Sequence, residues 1–326
     1  MTDAFSPPRC GIVLAGGDGA RLNSFVHRLT GKRLPKQYVN LIGTRSMLEH
    51  TFDRAEKLIP PDRLFTIANA DHLDYPKARR QLGKRPKRTV IIQPSNKETG
   101  PGILLGLIHL FKNYPESTVA VFPSDHFIVQ EDLFMSYVAL AFQVVENNPC
   151  SLVMLGVVPD GPEPDYGYII PDGEEDELLA SLRVHNVKLF IEKPGPELAE
   201  ELVLQGGLWN TMVMVFCTGV VVDLVRRLAP DLYGSFQPLL KAIGTAKEKA
   251  VLEKIYRQIE PINFSSSLME AVPLLSPSCV SVLPISGVFW SDWGSEHRIV
   301  GALEKTGYLE RLQGIEQFNS FTNGRN

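Results

Sequence analysis

Long apolar runs are missing from this chain. No stretch approaches the roughly 18 uninterrupted apolar residues needed to cross a bilayer, so no membrane association is expected. The first ten residues, MTDAFSPPRC, lack the charged and apolar regions of a secretory leader. Cysteine is scarce too: the four in 326 residues, Cys10, Cys150, Cys217 and Cys279, form no C-x-x-C. Their apolar contexts suit buried reduced thiols in a cytoplasmic setting. Nor is there an excess of charge of one sign. Against 33 Lys and Arg stand 37 Asp and Glu, a formal net charge of −4, which argues against a nucleic-acid partner. The basic run Lys84-Arg85-Pro86-Lys87-Arg88 reads as a solvated loop before a strand. Internal repeats and low-complexity linkers are absent, as are both familiar phosphate loops. Lys-Ser/Thr does not follow Gly19, and position 22 is Leu where a third glycine would complete G-x-G-x-x-G.

What is present is a strand that ends in glycines. Gly11-Ile12-Val13-Leu14-Ala15 runs into Gly16-Gly17-Asp18-Gly19-Ala20-Arg21, and Leu34-Pro35-Lys36-Gln37 follows. Glycine permits φ > 0 and close backbone approach, and outward amides form an anion-binding concavity. Arg21 and Lys36 add fixed positive charge for phosphate oxygens. A nucleoside triphosphate is the natural ligand, bound by Leu14, Ala15, Gly16, Gly17 and Gly19.

Apolar runs at 10–14, 64–68, 90–92, 119–122 and 152–157 predict strands, and 3.6-residue periodicity predicts helices over 47–58, 102–111 and 133–146. That alternation implies an α/β fold with a mostly parallel, mixed sheet flanked by helices, its ligands at the carboxyl ends of the strands. Beyond residue 157 strands are expected at 166–170, 184–191 and 209–216, and a strand pair at 280–283 and 288–290. Helices are expected near 196–204, 220–228, 235–242, 247–258 and 295–312, with an acidic solvated tip at 172–177.

Several strand ends carry chemistry. Asp125, in Pro123-Ser124-Asp125-His126, and Asp292, in Trp290-Ser291-Asp292-Trp293-Gly294, are placed to hold Mg²⁺, a hard cation that takes few protein oxygens. Each also reads as a turn or capping residue. His126 suits a supporting role. Glu192-Lys193-Pro194 would bring a carboxylate and an ammonium to a cleft, or stand as an exposed pair. Gly167 and Asn210 suit a sugar, while Tyr166, Tyr168 and Trp209 read equally as core aromatics. Gln93, Asn96, Thr99 and Gly100, in the segment opening a helix, have side chains and amides able to read a base edge, although a capping turn explains Thr99 as well.

In order, LAGGDGARL, LPKQY, PSNKETGP, PSDH, YGYI, FIEKP, WN and FWSDWGS resemble the sugar-phosphate nucleotidyltransferases, most closely the mannose-1-phosphate guanylyltransferase branch. The resemblance implies a Rossmann-like sheet with a smaller sugar-binding lobe. One domain would span 1–326: a nucleotide half to about 157, a sugar half at 158–295 and a C-terminal helical segment at 296–326. It implies a catalytic set of Arg21, Lys36 and Lys193, with Lys193 on the sugar phosphate. Mg²⁺ would sit on Asp125 and Asp292, and the sugar on Gly167, Glu192 and Asn210. GTP and a sugar 1-phosphate would be the substrates, with a homodimer left open. An appended β-helix or isomerase domain is not expected at this length. Departures fall at Asn23-Ser24, where relatives carry Trp-Pro, in a longer 22–34 stretch, and at Lys97-Glu98 and Asn263-Phe264-Ser265. They keep thymidylyl- and cytidylyltransferases, and a silent nucleotide-sugar-binding regulator, as alternatives.

Overall fold

Residues 9–15, Arg-Cys-Gly-Ile-Val-Leu-Ala, are apolar on both faces, and the fold covers both. Val13 and Ala15 join one hydrophobic cluster with Phe52, Phe142 and Ile299. Cys10 and Ile12 join a second with Leu107, Phe236 and Ile255. Period-two alternation thus divides one strand between two cores. The computed structural model describes residues 7–173, 183–275 and 279–312. Most of the acidic tip and residues 313–326 of the expected C-terminal segment lie outside them.

The strands are β1 (Arg9–Ala15), β2 (Leu64–Asn69), β3 (Val90–Gln93), β4 (Thr118–Pro123), β5 (Phe127–Ile128), β6 (Leu152–Val157), β7 (Gly167–Pro171), β8 (His185–Glu192), β9 (Leu208–Cys217), β10 (Val280–Ile285) and β11 (Trp290–Ser291). Nine form one mixed sheet in the order β3-β2-β1-β4-β9-β6-β10-β8-β7, and β7 also pairs with β9. The quartet β3-β2-β1-β4 is parallel. Strand β9 lies antiparallel between β4 and β6. Through β9, β6, β10, β8 and β7 the pairing closes on itself. The expected alternation is therefore present, with a Rossmann-like quartet joined to a closed circuit by one shared strand.

Strand β9 bends where it leaves β6. The register shifts between Met154 and Gly156, and beyond the shift Gly156 faces Asn210. Side chains fill the gap in the ladder: Thr211 Oγ1 donates to Leu155 O at 2.7 Å, and Asn210 Oδ1 accepts from Met212 N at 2.9 Å. Met212 takes φ 57° to allow it. A bulge re-aims a strand in this way, and here it turns Asn210 toward β7.

Three expectations are corrected. Residues 288–290 do not pair with β10. Instead β11 forms a two-stranded ribbon with β5, while β10 lies inside the main sheet between β6 and β8. Helices Asn23–Thr30 and Pro76–Gly83 occupy stretches that gave no periodic signal, being short and largely polar. The last helix ends at Thr306, not Leu312, because Gly307 takes φ 70° and closes it. Elsewhere local chemistry sets the boundaries: helix Met47–Ala55 starts at a capping box between Ser46 and Glu49. Among the described residues no helix is long and apolar enough to cross a membrane.

Gly156 is where the bend is least tolerant. A Cβ there would lie 2.8 Å from Leu208 Cβ and 3.0 Å from Val282 Cγ2, and neither is the end of a long flexible chain. Gly156→Ala is expected to lower stability by about 1–3 kcal/mol, the range for overpacking a core. Urea unfolding checks this. An unchanged midpoint would show that the bend yields freely.

Candidate active site

The loop after β1 is organised by its carbonyls. Gln37 Nε2 donates to Ala15 O at 3.0 Å and to Gly17 O at 2.8 Å. Asn69 Nδ2, at the end of β2, donates to Gly16 O at 2.7 Å. Three consecutive carbonyls are thereby turned inward onto two buried amides. The main-chain N–H groups of Gly17, Asp18 and Gly19 make no hydrogen bond with the described residues. Gly17 has open space about it, and Gly19 takes φ 60° beside Lys36. A Cβ on Gly16 would collide with the Gln93 amide. Outward amides of this kind have the form of the concavity expected from residues 15–19.

Behind the loop, amide side chains are linked in series. Gln93 Nε2 donates to Asn69 Oδ1, and Tyr256 Oη donates to Gln93 Oε1 at 3.1 Å. Asp18 accepts from Asn69 at 3.1 Å and from Asn96 at 3.0 Å. Thr99 Oγ1 accepts from Phe264 N, and Gly100 N donates to Ile262 O, both at 2.8 Å. Gln93, Thr99 and Gly100 thus differ from free base-reading groups: their polar atoms tie the 94–100 segment to β2 and to residues 262–264. Asn96, exposed beside Asp18, stands nearest the loop.

Lys36 is 7 % exposed and has three acceptors: Asp125 Oδ2 at 3.0 Å, Asp292 O at 2.7 Å and Trp293 O at 2.9 Å. All three ammonium hydrogens are engaged within the protein. Lys36 thus fastens the two aspartate segments together. Trp293 takes φ 49°, which presents two successive carbonyls to one ammonium. Burial pushes the Asp125 carboxyl up, but Lys36 and His126 more than offset this and hold it below the usual carboxylate range. His126 is held down to about 4, mainly by burial, against the pull of Asp125 and Asp292. Trp290 Nε1 donates to His126 Nδ1 at 3.2 Å, so the ring proton sits on Nε2, which faces Asp125 Oδ1 at 3.9 Å.

Asp292 is fixed from both sides. Its Oδ1 accepts from Gly294 N at 2.8 Å, and its Oδ2 from Arg298 Nη2 at 3.2 Å. A side chain at Gly294 would strike both Arg298 and Asp292, which explains the glycine. Arg21 stays exposed at the rim, 3.9 Å from Asp165. Sequence reasoning missed Gln37 and Asn69 as loop anchors, and Arg298 and Asp165 altogether. Asn69 closes an apolar strand, as Asp125 does, and could have been found by that signal. Arg298 sits in an ordinary amphipathic helix and carries none.

The expected sugar residues come together. Gly167 and Glu192 are register partners, and a Cβ on Gly167 would meet Glu192 Oε2 at 2.6 Å and Asn210 Cβ at 3.4 Å. Asn210 Oδ1 is engaged by Met212 N, which leaves its Nδ2 as the donor side. The Glu192 carboxyl is raised by burial and by Glu270 against Lys193. Lys193, with φ 50°, is half-exposed, and its Nζ lies 3.9 Å from Glu192. Tyr166, Tyr168 and Trp209 are buried against one another and Trp290, with Trp209 Nε1 donating to Tyr168 Oη at 3.1 Å. They are core aromatics.

Residues 10–306 match the family described as Nucleotidyl transferase. Mannose-1-phosphate guanylyltransferase 2 of Escherichia coli O157:H7 is 29% identical over 304 residues, covering 90% of this chain and 59% of that protein. Xanthan biosynthesis protein XanB of Xanthomonas campestris is 28% identical over 298 residues, covering 91% and 60%. The chain thus spans about three-fifths of the length of these relatives. A Thermus thermophilus crystal structure, described as mannose-1-phosphate geranyltransferase, superposes with TM-score 0.71 at 25% identity, covering 88% of this chain and 76% of that one.

The neutral, buried His126 makes the site acid-sensitive. Between pH 6.5, the unfolded value, and about 4, the unfolded chain takes up a proton that the folded site excludes. Stability therefore falls as pH falls through that window, by an amount on the order of 3 kcal/mol. His109, also held near 4 by burial, acts in the same direction. Urea unfolding from pH 7 to 4.5 should show a shallower decline for His126→Gln than for the parent. Parallel declines would mean that His126 is already charged in the fold.

Proposed function

The chain belongs to the nucleotidyl transferase family, and on that premise we propose that it transfers a nucleotidyl group from GTP to mannose 1-phosphate, releasing pyrophosphate. One observation carries the reading. The 15–19 loop has its carbonyls pinned inward by Gln37 and Asn69 and its amides free, beside two carboxylate segments fastened by Lys36. The name of the Escherichia coli relative supports the choice of sugar and of the guanylyl group, and that of the Xanthomonas relative supports a place in a biosynthetic supply.

An oxygen of the sugar phosphate would attack the α-phosphorus in line. The new P–O bond forms as the α–β bridging bond breaks, and pyrophosphate leaves with the electron pair. The amides of Gly17 and Gly19 and the exposed guanidinium of Arg21 take the polyphosphate. Lys193 is free to swing to the sugar phosphate while Asn210 and Glu192 fix sugar hydroxyls, which orients the nucleophile. Lys36 acts by position, keeping Asp125 and Asp292 in register.

The donor set fits Mg²⁺. Asp125 Oδ1 has no side-chain hydrogen-bond donor among the described residues, and each Asp292 oxygen accepts one hydrogen bond and keeps a further lone pair, so hard oxygens remain available. When bound, the ion neutralises phosphate charge and polarises the reacting phosphorus. Asp125 and Asp292 would suffice to hold an ion that takes few oxygens from protein. None of the four cysteines is paired, but only Cys10 is buried and Cys150 is exposed, so the expectation of four buried thiols holds for Cys10 alone.

Pyrophosphate release across a panel of nucleoside triphosphates and sugar 1-phosphates tests the assignment. GTP with mannose 1-phosphate should give the highest kcat/KM and require Mg²⁺. Arg21→Ala, at an exposed position, should lower kcat/KM by roughly 10²–10³, as for other transition-state charge donors, without altering the melting temperature. Preference for another pair would reassign the substrates. Binding of GDP-mannose with no pyrophosphate exchange would show a silent regulator.

A further inference from the structure

Residues 262–270 reach both parts of the cleft. One end lies along the segment that follows β3. There Ile262 N donates to Lys97 O at 3.2 Å, and Ile262 O accepts from Gly100 N at 2.8 Å. Phe264 N donates to Thr99 Oγ1, also at 2.8 Å. A Cβ on Gly100 would lie 2.7 Å from Ile262 O, so the glycine is what lets the two backbones meet. Phe264 itself is fully buried, in one cluster with Leu268 and Met269, which anchors the middle of the stretch.

Beyond Phe264 the chain makes a π-helical turn, Ser265–Met269, which Glu270 N closes by donating to Ser265 O at 3.1 Å. On an ordinary helix residues three and four apart share a face. The wider turn brings residues five apart together, and from it Ser265 and Glu270 both reach the ends of β8 and the bend of β9. Glu270 Oε1 accepts from Glu192 N at 2.8 Å. Ser265 Oγ donates to Met212 Sδ at 3.1 Å and stands within reach of the Glu192 carboxyl. The Glu270 bond holds the main chain of Glu192 just where β8 ends and Lys193 turns to φ 50°. Without it, the Glu192 carboxyl and the Lys193 ammonium would lose a fixed direction.

Resting on the nucleotidyl-transfer reading above, we propose that residues 262–270 are a strap that positions the sugar-binding group from the nucleotide side: Thr99 seats one end, and Glu270 at the other aims Glu192. Thr99 and Glu270 are positioning residues, acting on the sugar through Glu192. The bonds at Lys97, Thr99 and Gly100, the buried Phe264 and the π-turn make the connection stiff, so a loss at Thr99 is felt at Glu192.

Amide hydrogen exchange, followed by mass spectrometry on overlapping peptides of the substrate-free protein, reads the strap without turnover. In Glu270→Ala the Glu192 amide should exchange roughly tenfold faster, about the worth of one hydrogen bond. Glu270→Gln, whose amide oxygen still accepts, should keep the parental rate. Thr99→Val keeps the shape and loses the acceptor for Phe264 N. It should speed exchange at Glu192 by a similar factor, although it acts at the opposite end, while peptides over β1 stay at the parental rate and show that the fold is intact.

With the nucleoside triphosphate saturating, Glu270→Ala and Thr99→Val should each raise KM for the sugar 1-phosphate roughly tenfold, and Glu270→Gln should not. Combining Thr99→Val with Glu270→Ala should add about twofold or less, because the strap is already released. Parental exchange at Glu192 in either Glu270→Ala or Thr99→Val, or KM effects that multiply in full in the double variant, would overturn the proposal. So would a Glu270→Gln that behaves like Glu270→Ala. If the parent releases no pyrophosphate with any substrate pair, the functional reading fails, yet the exchange measurements still decide whether the strap joins Thr99 to Glu192.

Discussion

The ammonium of Lys36 is the point on which the site depends. It comes from the loop after the first helix, and it meets a carboxylate from the end of β4 and two carbonyls from the turn after β11. These segments are far apart in the chain and would otherwise be held only by their own short elements. Burying a lysine is costly unless each hydrogen finds an acceptor. Three acceptors in fixed geometry offset that cost and make the arrangement all-or-none. The strained backbone of Trp293 and the Phe127–Trp293 stack, at 4.5 Å and 20°, are accommodations to the same demand.

Strain gathers around the cleft. Glu98, Lys193, Met212 and Trp293 all take positive φ, each next to a residue placed in the nucleotide, sugar or metal part of the site. A non-glycine residue keeps such a conformation only where its surroundings over-determine it. Here the compensation can be named. Glu98 follows the turn that Asn96 Oδ1 closes. Lys193 N donates to Tyr166 O, Met212 N to Asn210 Oδ1, and the Trp293 carbonyl accepts from Lys36.

Much of this was legible beforehand, and the reason differs by element. Strands β1, β2, β4 and β6 are apolar on both faces and bounded by polar turns, so their period and length announce them. Gly16, Gly17 and Gly19, the two aspartates and Glu192 stood out because each sits where a strand ends, whereas Gly167 and Asn210 stood out by their own chemistry. The β5–β11 ribbon was not legible, since two-residue strands have no period. Gln93 and Lys36 were placed in the right neighbourhood, but their partners inside the protein were not legible. A sequence shows which polar groups approach a site, but not which of them the protein itself consumes. Arg298 was invisible because its partners Glu163, Asp165 and Asp292 meet only in the fold.

Strand β9 belongs to two hydrogen-bonded systems at once, the parallel quartet through β4 and the closed circuit through β6 and β7. Two halves that share a strand cannot swing about a hinge without breaking a ladder. The gap between the 15–19 loop and the Gly167–Glu192–Asn210 group therefore behaves as the jaw of a fixed caliper. A ligand that bridges the two must be admitted by movements of the loops that rim the gap, and one too long or too short for that opening is refused by the spacing itself.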